Sequence, residues 1–144
     1  MKRLFRVLEP ANSNEYIQVV GKQQCASEYG SAFSRAAKAV TPAAETVFIS
    51  GTASIDEKGA TTNIDDAVAQ VKATIVNVQA VLRDLNCRDE DVVQVMAYCK
   101  TTGVEEVFSG LKDELPWPWV TMVCDVCRDD LLFEIEAIAA VAKS

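Results

Sequence analysis

Asn63-Ile-Asp-Asp-Ala-Val-Ala-Gln-Val-Lys-Ala-Thr-Ile-Val-Asn-Val-Gln-Ala-Val-Leu-Arg-Asp-Leu-Asn86 decides how the rest of the chain must be arranged. Val68, Val71, Ile75, Val78, Leu82 and Leu85 recur three and four apart, the apolar stripe of an α-helix. Asn63 suits the N-cap, and Asp65 and Asp66 suit a first turn, where the helix dipole favours negative charge. Gln70, Lys72, Asn77, Arg83 and Asp84 fall largely off the stripe, and the helix is expected to end near Asn86. A helix with one apolar face must bury it. The neighbouring segments are β-prone, so the sequence predicts a helix packed on a sheet.

Before the helix, Thr46-Val-Phe-Ile-Ser50 reads as a strand ending at Gly51, and 34–40 as another. Further back, Leu4–Leu8 and Tyr16–Gly21 flank the turn chemistry of Glu9-Pro-Ala-Asn-Ser-Asn-Glu15, which predicts an N-terminal hairpin. After the helix, Asp91–Lys100 is a strand. It carries Val93, Val95, Ala97 and Cys99 on one face and Val92, Gln94, Met96 and Tyr98 on the other. A second helix is expected over Val104–Leu115, stopped by Pro116. Trp119–Val126 and Leu131–Val141 read as strands, with Arg128-Asp129-Asp130 as a tight turn making them a hairpin. The expected class is α+β. The chain reads as one domain over 1–144, without repeat or linker, in which 1–28 form an N-terminal hairpin extension.

Composition narrows the function. With 49% hydrophobic and 24% charged residues, a chain of 144 residues can bury a core without disulfides or metals. The net charge of -7, with Lys and Arg scattered, disfavours nucleic acid as a partner. There is no histidine, which removes Ser-His and Cys-His nucleophile pairs and His-metal motifs. No cofactor or metal is implied. The five cysteines Cys25, Cys87, Cys99, Cys124 and Cys127 form no secreted disulfide framework. Met1-Lys2-Arg3 starts like a signal peptide but no long apolar run follows, and nothing approaches the roughly 18–20 apolar residues of a membrane span. A cytoplasmic protein without a membrane partner is expected.

Five local features carry possible chemistry. Glu134-Ile-Glu136 sets two carboxylates on one face of a strand, opposite Phe133, Ile135 and Ala137. Burying such a group is costly unless it is paired or works chemically, whereas an edge strand with a solvated face would make it ordinary. Ser50-Gly51-Thr52-Ala53-Ser54 offers small residues and hydroxyls at a strand end, where a ligand can approach backbone closely. Trp117-Pro118-Trp119 fits either a core or a pocket wall. Arg35, in Phe33-Ser-Arg-Ala36, could clamp a carboxylate or sit on the surface. Cys124-Asp-Val-Cys127 has CxxC spacing, but within a strand residues three apart face opposite ways, which argues against a shared metal or disulfide.

Val47-Phe-Ile-Ser-Gly51, the helix bearing Gln70 and Asn77, and Phe133-Glu-Ile-Glu-Ala-Ile-Ala139 resemble the RidA/YjgF family over roughly Tyr29 to Val141. The resemblance implies a chorismate mutase-like fold with two helices on one face of the sheet. It also implies a homotrimer with small-molecule clefts between subunits and hydrolysis of imines or enamines. In that family a strand arginine holds the substrate carboxylate, a backbone amide assists, and a glutamate on the last strand positions water. Glu134 matches that glutamate. Counted back without a gap, the arginine position falls on Trp119 and the amide position on Thr121. An indole cannot neutralise a carboxylate, so the chain departs from the pattern here.

A narrower resemblance joins Phe33-Ser-Arg-Ala36 and Phe48-Ile-Ser-Gly-Thr-Ala-Ser-Ile55 to chorismatases, in which case Arg35 would replace the missing clamp and Glu134 would act as general acid. The resulting expectation is a cleft lined by Arg35, Ser50, Gly51, Thr52, Trp119 and Thr121 around catalytic Glu134. It would take a small carboxylate or aromatic metabolite, with deaminase-type or chorismatase-like hydrolysis. The alternative is a non-catalytic binding or interaction protein in which Trp119 fills the cleft.

Overall fold

The computed structural model describes residues 13–17 and 34–142. Its strands are β1 (Ser13–Ile17), β2 (Ala36–Val40), β3 (Ala44–Ala53), β4 (Val92–Cys99), β5 (Trp119–Val123) and β6 (Phe133–Ala142). Its helices are α1 (Ala67–Asp84) and α2 (Thr102–Leu111), the latter continued by a 3-10 turn at Lys112–Glu114 before Pro116. One six-stranded sheet runs in the order β1-β2-β3-β6-β4-β5. All neighbours are antiparallel except β4 and β5, which are parallel and joined through α2.

The expected hairpin between the last two strands is therefore not formed. A parallel neighbour needs a crossover, and α2 supplies it between β4 and β5. The chain then passes back over β4 through 124–132, and β6 inserts between β3 and β4. Of the last two strands, β6 has the more continuous apolar face, with Phe133, Ile135, Ala137 and Ala139 all buried. A central place gives that face cover from both sides. The alternative of an edge strand for Glu134-Ile-Glu136 is thereby excluded.

The N-terminal expectation changes as well. Leu4–Leu8 lies outside the described residues. Ser13–Glu15, expected in a turn, belongs to β1, which pairs with β2 from Ser13↔Val40 to Ile17↔Ala36.

The α1 helix starts later than expected. Asn63 and Asp65 adopt left-handed backbone, with φ of 56° and 61°. This conformation is one that Asn and Asp tolerate better than most residues. The N-cap is Asp66, whose carboxylate accepts the Ala69 N–H at 3.0 Å. Val71, Val78, Leu82 and Leu85 face the core as expected, but Val68, in the opening turn, is exposed. Gln70 is the reverse case, fully buried where the pattern put it off the stripe. Its amide accepts the Leu132 N–H at 2.8 Å and donates to the Asp130 carbonyl at 2.9 Å. Asn77 likewise donates to the Ala53 carbonyl at 2.9 Å. These amides satisfy loop and strand-end backbone that would otherwise be stranded.

Two irregularities flank β6. Ile49 pairs with Ala137 and Thr52 with Ile135, so Ser50 and Gly51 together oppose Glu136. On the other side Val92 pairs with Ala139 and Gln94 with Ile138, which makes Val93 the extra residue. Such bulges break the alternation. Val93 therefore leaves the face it was assigned with Val95 and is exposed, while Val92 and Val95 are both buried. Both helices cover one face of the sheet, over a core that includes Val47, Ile49, Val78, Leu82, Phe108 and Phe133. Among the described residues no helix is long and apolar enough to cross a membrane.

Candidate active site

Phe133, Ile135 and Ala137 point to the helices, so Glu134 and Glu136 point to the opposite face of β6. There Glu134 lies across from Tyr98 of β4, and Glu136 across from Met96. The Tyr98 hydroxyl donates to the Glu136 carboxylate at 2.8 Å. Partial burial, then this bond and the charges of Glu136 and Glu134, push the Tyr98 phenol up to about 12.

Glu134 is seated on the β3 bulge. A Cβ at Gly51 would stand 3.0 Å from the Glu134 carboxyl carbon and would collide with its Oε1. Glycine is therefore what allows the carboxylate to lie against the backbone. The Cys127 thiol and the charges of Glu136 and Arg128 all act on the titration of this carboxyl. Burial raises the Glu134 carboxyl from its ordinary value and Glu136 adds to the rise. The Cys127 hydrogen bond and Arg128 oppose it without cancelling it. Cys127 is pushed up by burial and by Glu134, so it remains a thiol able to donate.

Cys124 and Cys127 are not in a strand. The strand stops at Val123, and both cysteines lie exposed in the loop 124–132. The geometric objection to a shared role for Cys124-Asp-Val-Cys127 rested on strand alternation and no longer applies. The far end of this loop is held by several bonds. Arg128 donates to the Gly59 carbonyl at 2.5 Å, Thr61 to the Asp130 carboxylate at 2.9 Å, and Lys100 to the Asp129 carbonyl at 2.8 Å.

Of the residues expected in the site, Gly51 and Glu134 come into contact, with Ser50 beside them in the bulge. The Ser50 hydroxyl donates to the Ser34 carbonyl at 2.6 Å, and its N–H to the Arg35 carbonyl at 3.1 Å. This fastens the bulge to the segment carrying Arg35, which is 2% exposed. Thr52 is buried and its hydroxyl donates to the Ser50 carbonyl at 3.0 Å.

The side chains of Trp119 and Thr121 turn the other way. The Trp119 ring meets Phe108 of α2 edge-on at 4.2 Å, and the Thr121 hydroxyl donates to Glu105 of α2 at 2.6 Å. The indole therefore does not occupy the space beside Glu134. Backbone tells a different story for Thr121. Val95 N–H bonds the Pro118 carbonyl and Cys124 N–H the Cys99 carbonyl, which fixes the phase of the parallel ladder. Trp119, Thr121 and Val123 accordingly direct their N–H groups off the outer edge of β5. Among the described residues no strand pairs with that edge.

On the same face as Glu134, a cavity of 250 Å³ is lined by Phe48, Ser50, Gln94, Met96, Glu136 and Ile138. It shares Ser50 with the expected cleft and is largely apolar, with one carboxylate. Phe48, Val93 and Val120 are exposed large apolar side chains, each about half accessible. Among the described residues, no cluster of three or more His, Cys, Asp or Glu is arranged to hold a metal. Sequence reasoning missed Cys127, Tyr98 and Arg128 as neighbours of Glu134. The CxxC spacing was the available signal for the first of them.

A sequence model of the family described as Endoribonuclease L-PSP matches residues 26–141. The chain belongs to this family, the YjgF/RidA family. Solved relatives share the fold at low identity. RidA from an Antarctic Psychrobacter is 20% identical with a TM-score of 0.71, covering 88% of this chain and 99% of its own. The Rid-family protein YyfA of Yersinia pestis is 16% identical with a TM-score of 0.72, covering 90% and 100%. The yjgF product of E. coli is 17% identical with a TM-score of 0.64, covering 87% and 98%. No curated protein shows a significant sequence match. The Rid fold thus accounts for the order of elements and for two helices on one face of the sheet.

Proposed function

We propose that this Rid-family chain binds a small carboxylated or aromatic metabolite in a cleft between the subunits of a homotrimer, and hydrolyses an imine, enamine or enol ether there. The observation that carries the reading is Glu134, a partly buried carboxyl raised above its ordinary value and seated against Gly51. A carboxyl tuned upward is better able to take a proton from attacking water and return one to the substrate. The Thr121 N–H, directed off the β5 edge, would support negative charge developing on the substrate. Arg35, tied through its backbone to Ser50, is the proposed anchor for a ligand carboxylate.

Glu134 and the Thr121 amide lie at separate places in one chain. A trimer in which the β5 edge of one subunit meets the Glu134 face of the next would join them. The exposed Phe48, Val93 and Val120 support association through that face. The non-catalytic alternative supposed that Trp119 fills the cleft, and its packing on Phe108 leaves that supposition without support. The family description names an endoribonuclease. A net charge of -7 and the lack of histidine weigh against RNA as substrate.

The test is hydrolysis of 2-aminoacrylate generated in situ by a pyridoxal-phosphate dehydratase, with the wild type and Glu134→Gln compared. Acceleration by the wild type, lost in the variant, is the expected result. Equal turnover by both removes Glu134 from the mechanism, and no acceleration by either retires imine hydrolysis.

A further inference from the structure

The sheet face turned away from the helices carries a hollow beside the β3 bulge. Across β3, β6 and β4, one row of that face holds Phe48, Ile138 and Gln94. The next row holds Glu136 and Met96, with Ser50 and Gly51 of the bulge opposite Glu136. Two small residues thus stand where one large side chain would have filled the space beside the carboxylate. The result is the cavity of 250 Å³ described above.

Its lining divides into two kinds of surface. Phe48, Met96 and Ile138 supply an apolar wall, and Glu136, Ser50 and Gln94 supply polar groups. No lysine or arginine lines the cavity. Among the described residues Glu136 forms no ion pair. The Tyr98 hydroxyl donates to Glu136 Oε2 at 2.8 Å, which holds the carboxylate and leaves Oε1 to accept from elsewhere. The Ser50 hydroxyl directs its proton to the Ser34 carbonyl at 2.6 Å, so toward the cavity it can only accept. A held carboxylate beside an apolar wall suits a ligand that carries positive charge and donates hydrogen bonds. The volume equals about eight waters and lies below the roughly 300–1,000 Å³ of drug-sized pockets, so the ligand is short.

We propose that this cavity binds a small primary amine, its ammonium on Glu136 and its branched aliphatic or aromatic body against Phe48, Met96 and Ile138. An ammonium of this kind has three N–H donors, and Glu136 Oε1, the Ser50 hydroxyl and the Gln94 amide oxygen are the side-chain acceptors of the lining. The body covers part of the exposed Phe48 ring, and the Met96 thioether adapts to its shape. A carboxylate in the same place would meet Glu136 as a like charge. The site is chemically the reverse of the Arg35 anchor proposed above, and it does not depend on the hydrolysis. It does lie on the face proposed for trimer association, so binding is measured on the full chain as it assembles.

The protein is titrated with isoamylamine near neutral pH, and with isoamyl alcohol and isovalerate as neutral and anionic analogues of the same body. Calorimetry reads the affinities, and methyl NMR of Met96 and Ile138 places the ligand. The expected result is saturable amine binding with a Kd of roughly millimolar order, as suits so few heavy atoms. Isoamyl alcohol should bind at least about tenfold more weakly, because the charge-assisted hydrogen bond is lost, and isovalerate should not bind. Glu136→Gln keeps an acceptor for Tyr98 and should reduce the amine to the affinity of the alcohol. Glu134→Gln should retain amine binding, and loss of binding in that variant would place the amine at Glu134 and overturn the proposal. No saturable binding, equal affinity for amine and alcohol in wild type, unmoved Met96 and Ile138 signals, or an unchanged amine preference in Glu136→Gln also overturns it.

Discussion

Replacing Gly51 by alanine should move the Glu134 carboxylate without unfolding the protein. The new Cβ would stand 3.0 Å from the carboxyl carbon and 3.6 Å from Cγ, and would collide with Oε1. Ordinary carbon contacts lie at about 3.5–4.0 Å, so the carboxyl must retreat by roughly 0.5–1 Å or rotate away. The atoms that must yield are the far end of a flexible side chain. Holding such a chain off its preferred rotamer costs about 0.5–1.5 kcal/mol. Against this, alanine in a strand gains roughly 0.5–1 kcal/mol over glycine through reduced backbone entropy. The Gly51 backbone is not left-handed, so no conformational strain is added. Net stability in urea should stay within about 1 kcal/mol of wild type, since the two terms oppose each other. Burial is the largest cause of the raised Glu134 carboxyl. A carboxylate pushed into solvent should titrate closer to its ordinary value, and site-resolved carboxyl NMR reads this directly. An unchanged midpoint in Gly51→Ala would show that the bulge does not set the Glu134 environment.

Three further outcomes follow from the same geometry. Because the folded state holds the Glu134 proton more tightly than the unfolded chain, its contribution to stability is fully present below the ordinary carboxylate value. It is lost as pH rises through the raised folded value. Glu134→Gln lacks this dependence, so the variant should gain on wild type as pH rises, and urea unfolding across pH would refute the assignment by showing the opposite slope. Gln70→Ala removes the acceptor for the Leu132 N–H and the donor to the Asp130 carbonyl inside a fully buried site. It should cost about 2–4 kcal/mol by urea denaturation, and a loss below about 1 kcal/mol would mean that water replaces the amide. With Tyr98 pushed up to about 12, its phenol should remain protonated through pH 10 in an absorbance titration, and Glu136→Gln should lower its midpoint.

A helix ending near Asn86, the breaker at Pro116 and the alternation of Phe133, Ile135 and Ala137 against Glu134 and Glu136 were legible in the sequence, though the helix start at Ala67 was not. Each depends on neighbours a few residues away, where periodicity and backbone chemistry act directly. Glu134 and Gly51 could each be put forward as candidates from local sequence, but not their contact with one another. What tertiary structure decided was long-range pairing. A turn-like Arg128-Asp129-Asp130 cannot reveal that β6 will bypass β5 and pair with β3 and β4. Nor can local pattern reveal that Gln70 will leave solvent to bind the loop it never meets in sequence. Alternation in Asp91–Lys100 failed at Val93 because a bulge is a property of two paired strands, not of one. The environment of Glu134 belongs to this second class. A carboxyl is desolvated only by what folds around it, and Gly51, Tyr98 and Cys127 reach it from three separate segments.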